Sequence, residues 1–408
     1  MLISSGGPAR RSLIDALVAV AVQTVLALLI AGSRSWTGVG DTDIYFRYAT
    51  LIRAGQVPYR DFLVEYPPLA IPIFVVPAAI ARGVVAYKVA FAGEMLVCNA
   101  VAVLLVARWV ERREGRDRVA IRLAWYTLVV VFLSRLIVSR YDAAPMLVGF
   151  AATLWWSSGQ GRLGGMAASV GTAMKLYPAS AALVAMIGDG RPDRRGGGAI
   201  AFTATSIALA LVWLAVGGFA GVTESIRYHS GRGFEYGSLY SGAQMLAAKL
   251  LGVTITIARD HSSFSTTTPW SASLARWVFP IQGAAILAVA WVFARRGSRE
   301  GIRYQAAAVL AFIATGKVFS PQFLIWLIPY LAVLEGPIAR RARWLFLAVA
   351  AATVGAPGLF GFLPRTSLGV ILAYNGRNVL VVWLLILLVR GPLAPRTDAG
   401  PEAGATTG

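Results

Sequence analysis

Apolar runs of membrane length follow one another along almost the whole chain. They begin near Leu13, Lys88, Val119, Ala143, Gly164, Ala199, Leu274, Tyr304, Phe323, Trp344 and Asn375. A helix rises 1.5 Å per residue, so about twenty apolar residues cross a hydrocarbon core. The pattern predicts an all-α polytopic membrane bundle of roughly 11–13 transmembrane helices, counted at one per run. Two stretches depart from it. The run from Pro67 to Arg82 also holds Pro68, Pro72 and Pro77, which predicts a broken or re-entrant segment. The run from Gly164 to Ile187 lies between two basic loops, so it must return to the side it left, turning near Lys175, Tyr177 and Pro178. No internal repeat is visible. Residues 391–408 are polar and rich in Gly and Pro, and read as a disordered tail. Residues 1–390 then form one transmembrane domain.

Composition sharpens this picture. With 57% hydrophobic and 14% charged residues, the chain falls far below the quarter or so of charged positions usual in a soluble domain. Its 42 glycines and 19 prolines are tolerated in membrane helices, where neighbouring helices satisfy freed backbone groups. The net charge of +19 is not a nucleic-acid footprint, because the arginines sit in short clusters between apolar runs. Arg10 and Arg11, 108–118, 191–195, 295–303 and 340–343 mark cytoplasmic loops by the positive-inside rule. Both termini are then cytoplasmic, in the plasma membrane, and the connections at 33–66, 139–142, 218–270, 317–322 and 363–373 face outward. The first run follows two arginines like a signal peptide but ends in no clear cleavage site, and is read as a retained helix. The single cysteine, Cys98, lies in an apolar run and excludes an internal disulfide and a thiolate metal cluster.

Candidate chemistry collects on the outward side. The first outward loop, GDTDIYFRYATLIRAGQVPYRDFLVEYPP, concentrates Asp41, Asp43, Asp61 and Glu65 in a chain with only 19 acids. Two carboxylates two residues apart suit a general base with an orienting partner, or a ligand pair for a divalent cation. The plainer reading is a solvated loop whose acids pair with Arg47, Arg53 and Arg60. Arg140 and Asp142 form an SRYD corner, Lys175 lies in GTAMKLYP, and Lys317 lies in GKVFSPQFLIW, close to Gln322. A cation near the membrane interior is costly and so is a functional candidate, here for an anionic phosphate; snorkelling to the interface or pairing with an acid is the structural alternative. The segment RYHSGRGFEYGSLYSGAQMLAAKL carries His229, Arg232, Glu235 and Tyr236 ahead of a predicted amphipathic interfacial helix, as in a lid or acceptor platform. No Walker-type loop or histidine-rich metal pattern is present.

Taken together, the run from GDTDIYFRY through GQVPYRDFLVEYPP, the KLYP turn and KVFSPQFLIWLIP resemble the polyprenol-phosphate-dependent glycosyltransferases of the GT-C superfamily. The likeness is to the actinobacterial family 87 enzymes related to phosphatidylinositol-mannoside mannosyltransferases, and it extends over most of the chain. It implies a GT-C-like bundle with an acid-rich extracytoplasmic first loop. It also implies transfer of a sugar, mannose first, from a polyprenyl-phosphate donor to a lipid-linked or glycan acceptor, by a single inverting displacement. The family's first-loop base matches Asp41, with Asp43 beside it. Arg140, Lys175 and Lys317 are then expected at the donor phosphate, and Glu65, Tyr66, Asp142, Tyr177, His229, Arg232 and Gln322 at the substrates. Tyr66, Tyr177, Trp326 and Tyr330 are candidates for stacking on sugar or prenyl chain. No cofactor beyond an optional divalent cation is implied. Polyprenyl-phosphate arabinose is the alternative donor. A transporter or flippase and a non-catalytic envelope scaffold are the alternative classes.

Overall fold

The structure, a computed structural model, describes residues 8–31, 40–261, 263–296, 300–360 and 365–393. Most of the expected disordered tail, and part of the first outward loop, lie outside the described residues. Among the described residues, six helices are long and apolar enough to cross a membrane: α1 (Pro8–Ala31), α4 (Val84–Glu114), α5 (Val119–Ser139), α9 (Pro192–Gly231), α12 (Val278–Arg296) and α16 (Leu368–Arg390). Between them stand the shorter helices α2 (Asp41–Arg53), α3 (Ala70–Ile80), α6 (Ala143–Ser157), α7 (Gly161–Met174), α8 (Pro178–Gly188), α10 (Leu239–Leu250), α11 (Ser271–Ala275), α13 (Gly301–Ala314) and α14 (Ile328–Ala332), and also α15 (Ala339–Phe360), which at 22 residues falls in the length range of the spans. One core of buried residues runs from Ala16 on α1 to Leu388 on α16. The protein is therefore a multi-pass helical bundle.

The departures in the apolar pattern become breaks in helices. The proline-rich run folds as the eleven-residue α3. The Gly164–Ile187 run becomes α7 and α8, joined at Lys175–Tyr177 with Pro178 opening α8, where its missing N–H and fixed φ cost nothing. Within α9 the chain bends at Gly218, whose φ of 68° and ψ of 166° belong to a region open essentially to glycine alone. Beyond the bend, Gly221 lies so close to the Tyr59 carbonyl that a Cβ would overlap it. The first outward loop is thereby pinned to the far half of α9.

Side-chain contacts sort the connections into two ends. At one end Arg122 pairs with Glu114, Arg113 with Glu335, Trp156 bonds Asp189, and the buried Arg303 caps the last turn of α16 through the carbonyls of Leu388 and Gly391. All the arginine-rich loops after α1 lie there. The opposite end gathers α2, α3, the 140–142 corner, the 175–177 turn and the segment from 232 to 277. That segment holds an antiparallel three-stranded sheet, β1 (Phe234–Glu235), β2 (Thr256–Asp260) and β3 (Ser263–Thr267), in order β1-β3-β2, which the all-α reading does not include. The amphipathic helix expected there is present as α10.

Candidate active site

The first part of the acid-rich run is a helix, α2, while Asp61 and Glu65 lie in the turns and loop that follow it. Asp41 and Asp43 are the first and third residues of α2. Successive helical residues are rotated by 100°, so side chains two apart point to different faces. Asp43 turns back to accept the Gly40 N–H at 2.8 Å and pairs with the buried Lys88 at 3.0 Å. Asp41 turns instead toward the 140–142 corner and pairs with Arg140. The two carboxylates thus form no chelating pair, and among the described residues no three His, Cys, Asp or Glu side chains converge.

Aromatic packing fixes this juxtaposition. Tyr45 on α2 stacks on Phe74 of α3 at 4.2 Å and meets Tyr141 edge-on at 5.8 Å, and Tyr66 packs on the same Tyr141 ring at 5.2 Å. One turn of helix separates Tyr45 from Asp41, so docking the ring beside Tyr141 delivers the carboxylate to Arg140.

Beneath Arg140 lies a second acid–base pair. Asp142 is 1% exposed, and one of its oxygens accepts from Lys175 Nζ at 2.6 Å and from Trp326 Nε1 at 2.7 Å. The ammonium sits 4.4 Å from the centre of the Tyr141 ring and 5.2 Å from that of Trp326. Burial pushes the Lys175 ammonium below its usual range, opposed by Asp142. Burial likewise lowers Arg140, opposed by Asp142 and Glu235. Both cations thus have acids brought to them that offset part of the cost of burial.

Other expected site residues are distributed unevenly. Lys317 donates to the carbonyls of Ser230 (3.1 Å) and Arg232 (3.4 Å), so it ties the end of α9 down. Arg232 donates to Ser263 Oγ at 3.0 Å and stands in the field of Glu235 and Lys175. His229 bonds the Glu65 carbonyl at 2.6 Å, joining α9 to the first loop through the backbone. Gln322 accepts from Ser320 Oγ at 2.5 Å. Tyr177, Trp326 and Tyr330, expected to stack on a substrate, are instead fully buried. Tyr177 lies flat on Trp326 at 4.1 Å and donates to the Pro145 carbonyl, and Tyr330 bonds Thr153. They are core residues that carry Asp142 and Lys175 from behind.

Two further charged groups join the cluster. Glu235 accepts the Phe319 N–H at 2.7 Å; burial raises its carboxyl above the usual range, against the pull of Arg232, Arg377 and Arg140. Arg377, 3% exposed on α16, reaches out of the apolar bundle to the Gly237 carbonyl and stacks 4.0 Å from the Phe319 ring centre. An arginine inside an otherwise apolar run is a signal present in the sequence, though not used above. Asp41, Asp142 and Glu235 thus stand against Arg140, Lys175, Arg232 and Arg377, leaving an excess of positive charge. A groove of about 630 Å3 runs between Leu63 of the first loop and the bent half of α9, lined there by Phe219, Thr223, Glu224, Arg227 and Tyr228.

Residues 62–321 match the family model for Glycosyltransferase family 87. The chain belongs to glycosyltransferase family 87. The matched segment contains Arg140, Asp142, Lys175, His229, Arg232, Glu235 and Lys317, and leaves Asp41, Asp43 and Arg377 outside. The family 87 enzyme also shares its fold with a crystal structure of ArnT from Cupriavidus metallidurans in the apo state, at 14% identity and a TM-score of 0.50 over 92% of this chain and 77% of that one. A crystal structure of the same ArnT bound to undecaprenyl phosphate aligns over the same shares at 13% identity and a TM-score of 0.49. No curated protein is significantly similar to the family 87 enzyme in sequence. Family membership makes the chain a glycosyltransferase and sets aside the transporter and scaffold readings.

Proposed function

We propose that this membrane glycosyltransferase takes mannose from a polyprenyl-phosphate donor and transfers it to a lipid-linked or glycan acceptor of the cell envelope, on the extracytoplasmic side. The observation that carries the reading is Asp41 in contact with Arg140, with Lys175 and Arg232 close behind. A lipid-linked sugar phosphate needs cations for its leaving group and a carboxylate for the attacking hydroxyl, and no nucleotide pocket. Undecaprenyl phosphate bound to the ArnT of similar fold suits a prenyl-phosphate donor. The positive-inside rule supports a cytoplasmic basic end, with both termini there and the cluster outside.

In this reading Asp41 takes the acceptor's hydroxyl proton as the oxygen attacks the anomeric carbon. The bond from that carbon to the phosphate oxygen breaks, and the polyprenyl phosphate leaves with its new negative charge beside Arg140 and Lys175. The divergence of Asp41 from Asp43 favours a base over a divalent-cation pair. The groove between Leu63 and the bent half of α9 takes the acceptor, its apolar end at Leu63 and Phe219 and its polar end at Glu224 and Arg227.

The test is sugar transfer by the purified protein in lipid nanodiscs, given polyprenyl-phosphate mannose or arabinose and a mixed glycolipid acceptor extract. Wild type should transfer mannose, and Asp41→Asn should lower the rate on the order of 10²–10⁴-fold, the usual share of general base catalysis. Transfer of arabinose alone would correct the sugar. No transfer from either donor would sink the reading.

A further inference from the structure

The pairing of Asp41 with Arg140 has an awkward side for catalysis. A carboxylate oxygen held by a guanidinium is not open to an incoming hydroxyl, and a contacting arginine stabilises a carboxylate in its proton-free form. Lys175 is not available to take Arg140's place. It is held by Asp142 at 2.6 Å, inside a cage of Tyr141, Phe323 and Trp326 rings, and Asp142 is locked in turn by Trp326. In that pair Lys175 keeps 16% and Asp142 1% of their side-chain surface exposed, whereas Arg140 and Asp41 keep 26% and 24%. Of the two pairs, the one containing the base is therefore the more open to a ligand.

We propose that Arg140 is a positioning residue shared between the base and the donor: the donor phosphate draws the guanidinium away from Asp41, and only then is the carboxylate free to accept the acceptor's proton. This rests on the proposed polyprenyl-phosphate donor. Before the donor arrives, Arg140 neutralises Asp41 and the acceptor hydroxyl meets no competent base. A phosphate offers the guanidinium a bidentate partner at least as good as a carboxylate. When it binds, the charge that blocked the base becomes the charge that stabilises the leaving group. Donor binding therefore precedes productive acceptor binding. After transfer, Asp41 gives its proton to water and the departing polyprenyl phosphate releases Arg140 back to the carboxylate.

The test measures binding of undecaprenyl phosphate to the full-length protein in nanodiscs, for wild type, Asp41→Asn, Arg140→Ala, Arg140→Lys and the double variant Asp41→Asn/Arg140→Ala. If Asp41 competes with phosphate for Arg140, Asp41→Asn binds the lipid about tenfold more tightly than wild type, the scale of one charge-assisted contact. Arg140→Ala binds more weakly, Arg140→Lys recovers part of the loss, and Asp41→Asn has no effect once Arg140 is gone. Asp41→Ala serves as the second variant should Asp41→Asn not fold. A merely structural ion pair would instead give weaker or unchanged binding in Asp41→Asn, and that result overturns the proposal while leaving the donor reading in place. Equal effects of Asp41→Asn with and without Arg140 overturn it as well. If wild type binds no undecaprenyl phosphate, the donor reading fails and the switch falls with it.

Discussion

Removing the Lys175 ammonium should cost more than any other single charge deletion at the outward end. Lys175→Met keeps the length and much of the apolar stem but leaves Asp142, 1% exposed, with Trp326 Nε1 as its one remaining bond to that oxygen. Taking one partner from a buried pair costs about 3–5 kcal/mol, because the other charge stays behind uncompensated. The three rings around the ammonium add about 0.5–2 kcal/mol of cation–π attraction that Met cannot replace. Neutralising both ends removes most of that penalty. In Asp142→Asn/Lys175→Met an amide oxygen still accepts from Trp326 and no charge is stranded. The double variant should therefore be more stable than Lys175→Met alone, with a coupling energy of at least about 2 kcal/mol. Equilibrium unfolding in lipid bicelles, followed by steric trapping, reads all four corners of the cycle. Additive single-variant effects, or a Lys175→Met variant within about 1 kcal/mol of wild type, would refute the claim that this pair is a desolvated, mutually dependent unit.

Asp43→Asn should affect stability rather than chemistry, since its carboxylate serves the Gly40 N–H and Lys88. Transfer should stay within a few-fold of wild type while the unfolding midpoint falls, the reverse of the pattern expected for Asp41→Asn. Gly218→Ala places a Cβ where φ is 68° and should cost about 1–3 kcal/mol of strain; a variant as stable as wild type would show that the bend does not hold this conformation. Glu235→Gln tests a buried acid whose carboxyl is raised by its surroundings. A raised acid binds its proton more firmly in the folded state, so its contribution to stability falls as pH climbs from the unfolded carboxyl range through the folded one. The stability of the variant relative to wild type should then increase with pH across that window, and a pH-independent difference would refute the cause given.

Much of the bundle is legible from apolar run length. α4, α5, α6 and α13 begin within a few residues of the runs that predict them, and the Pro- and Lys-marked breaks at α3 and at Lys175–Tyr177 follow from proline chemistry and loop charge. The first loop is less legible, since DTDIYFRYATLIR carries its tyrosines at helical spacing but reads at first as an acidic loop. That difference decides the site. In a loop the two aspartates can share one task, whereas on α2 they must serve separate partners. The partners themselves, Arg140 for Asp41 and Glu235 for Arg377, lie far apart in the chain, Arg140 at the end of α5 and Glu235 on β1, and no local pattern marks these pairings. The large aromatics mislead for a similar reason. Tyr177 and Trp326 look like ligand platforms in one dimension, but the packing of α8 against the Pro321–Leu327 turn turns them into the wall behind the site.

The polar knot between the first three long helices carries a consequence for how the protein is made. Gln23 of α1 donates to Thr127 of α5 and accepts from Asn99 of α4, while Tyr126 closes the chain onto Asn99. Gln23 and Thr127 are 104 residues apart. At a synthesis rate of 5–20 residues per second, α1 waits on the order of 5–20 s before its amide can find these partners. An amide unsatisfied in hydrocarbon is costly over that interval, which favours keeping α1 beside the insertion machinery until α5 emerges. Nascent chains arrested before Thr127 should therefore crosslink to the insertase through α1, and those arrested after α5 should be released as a three-helix unit.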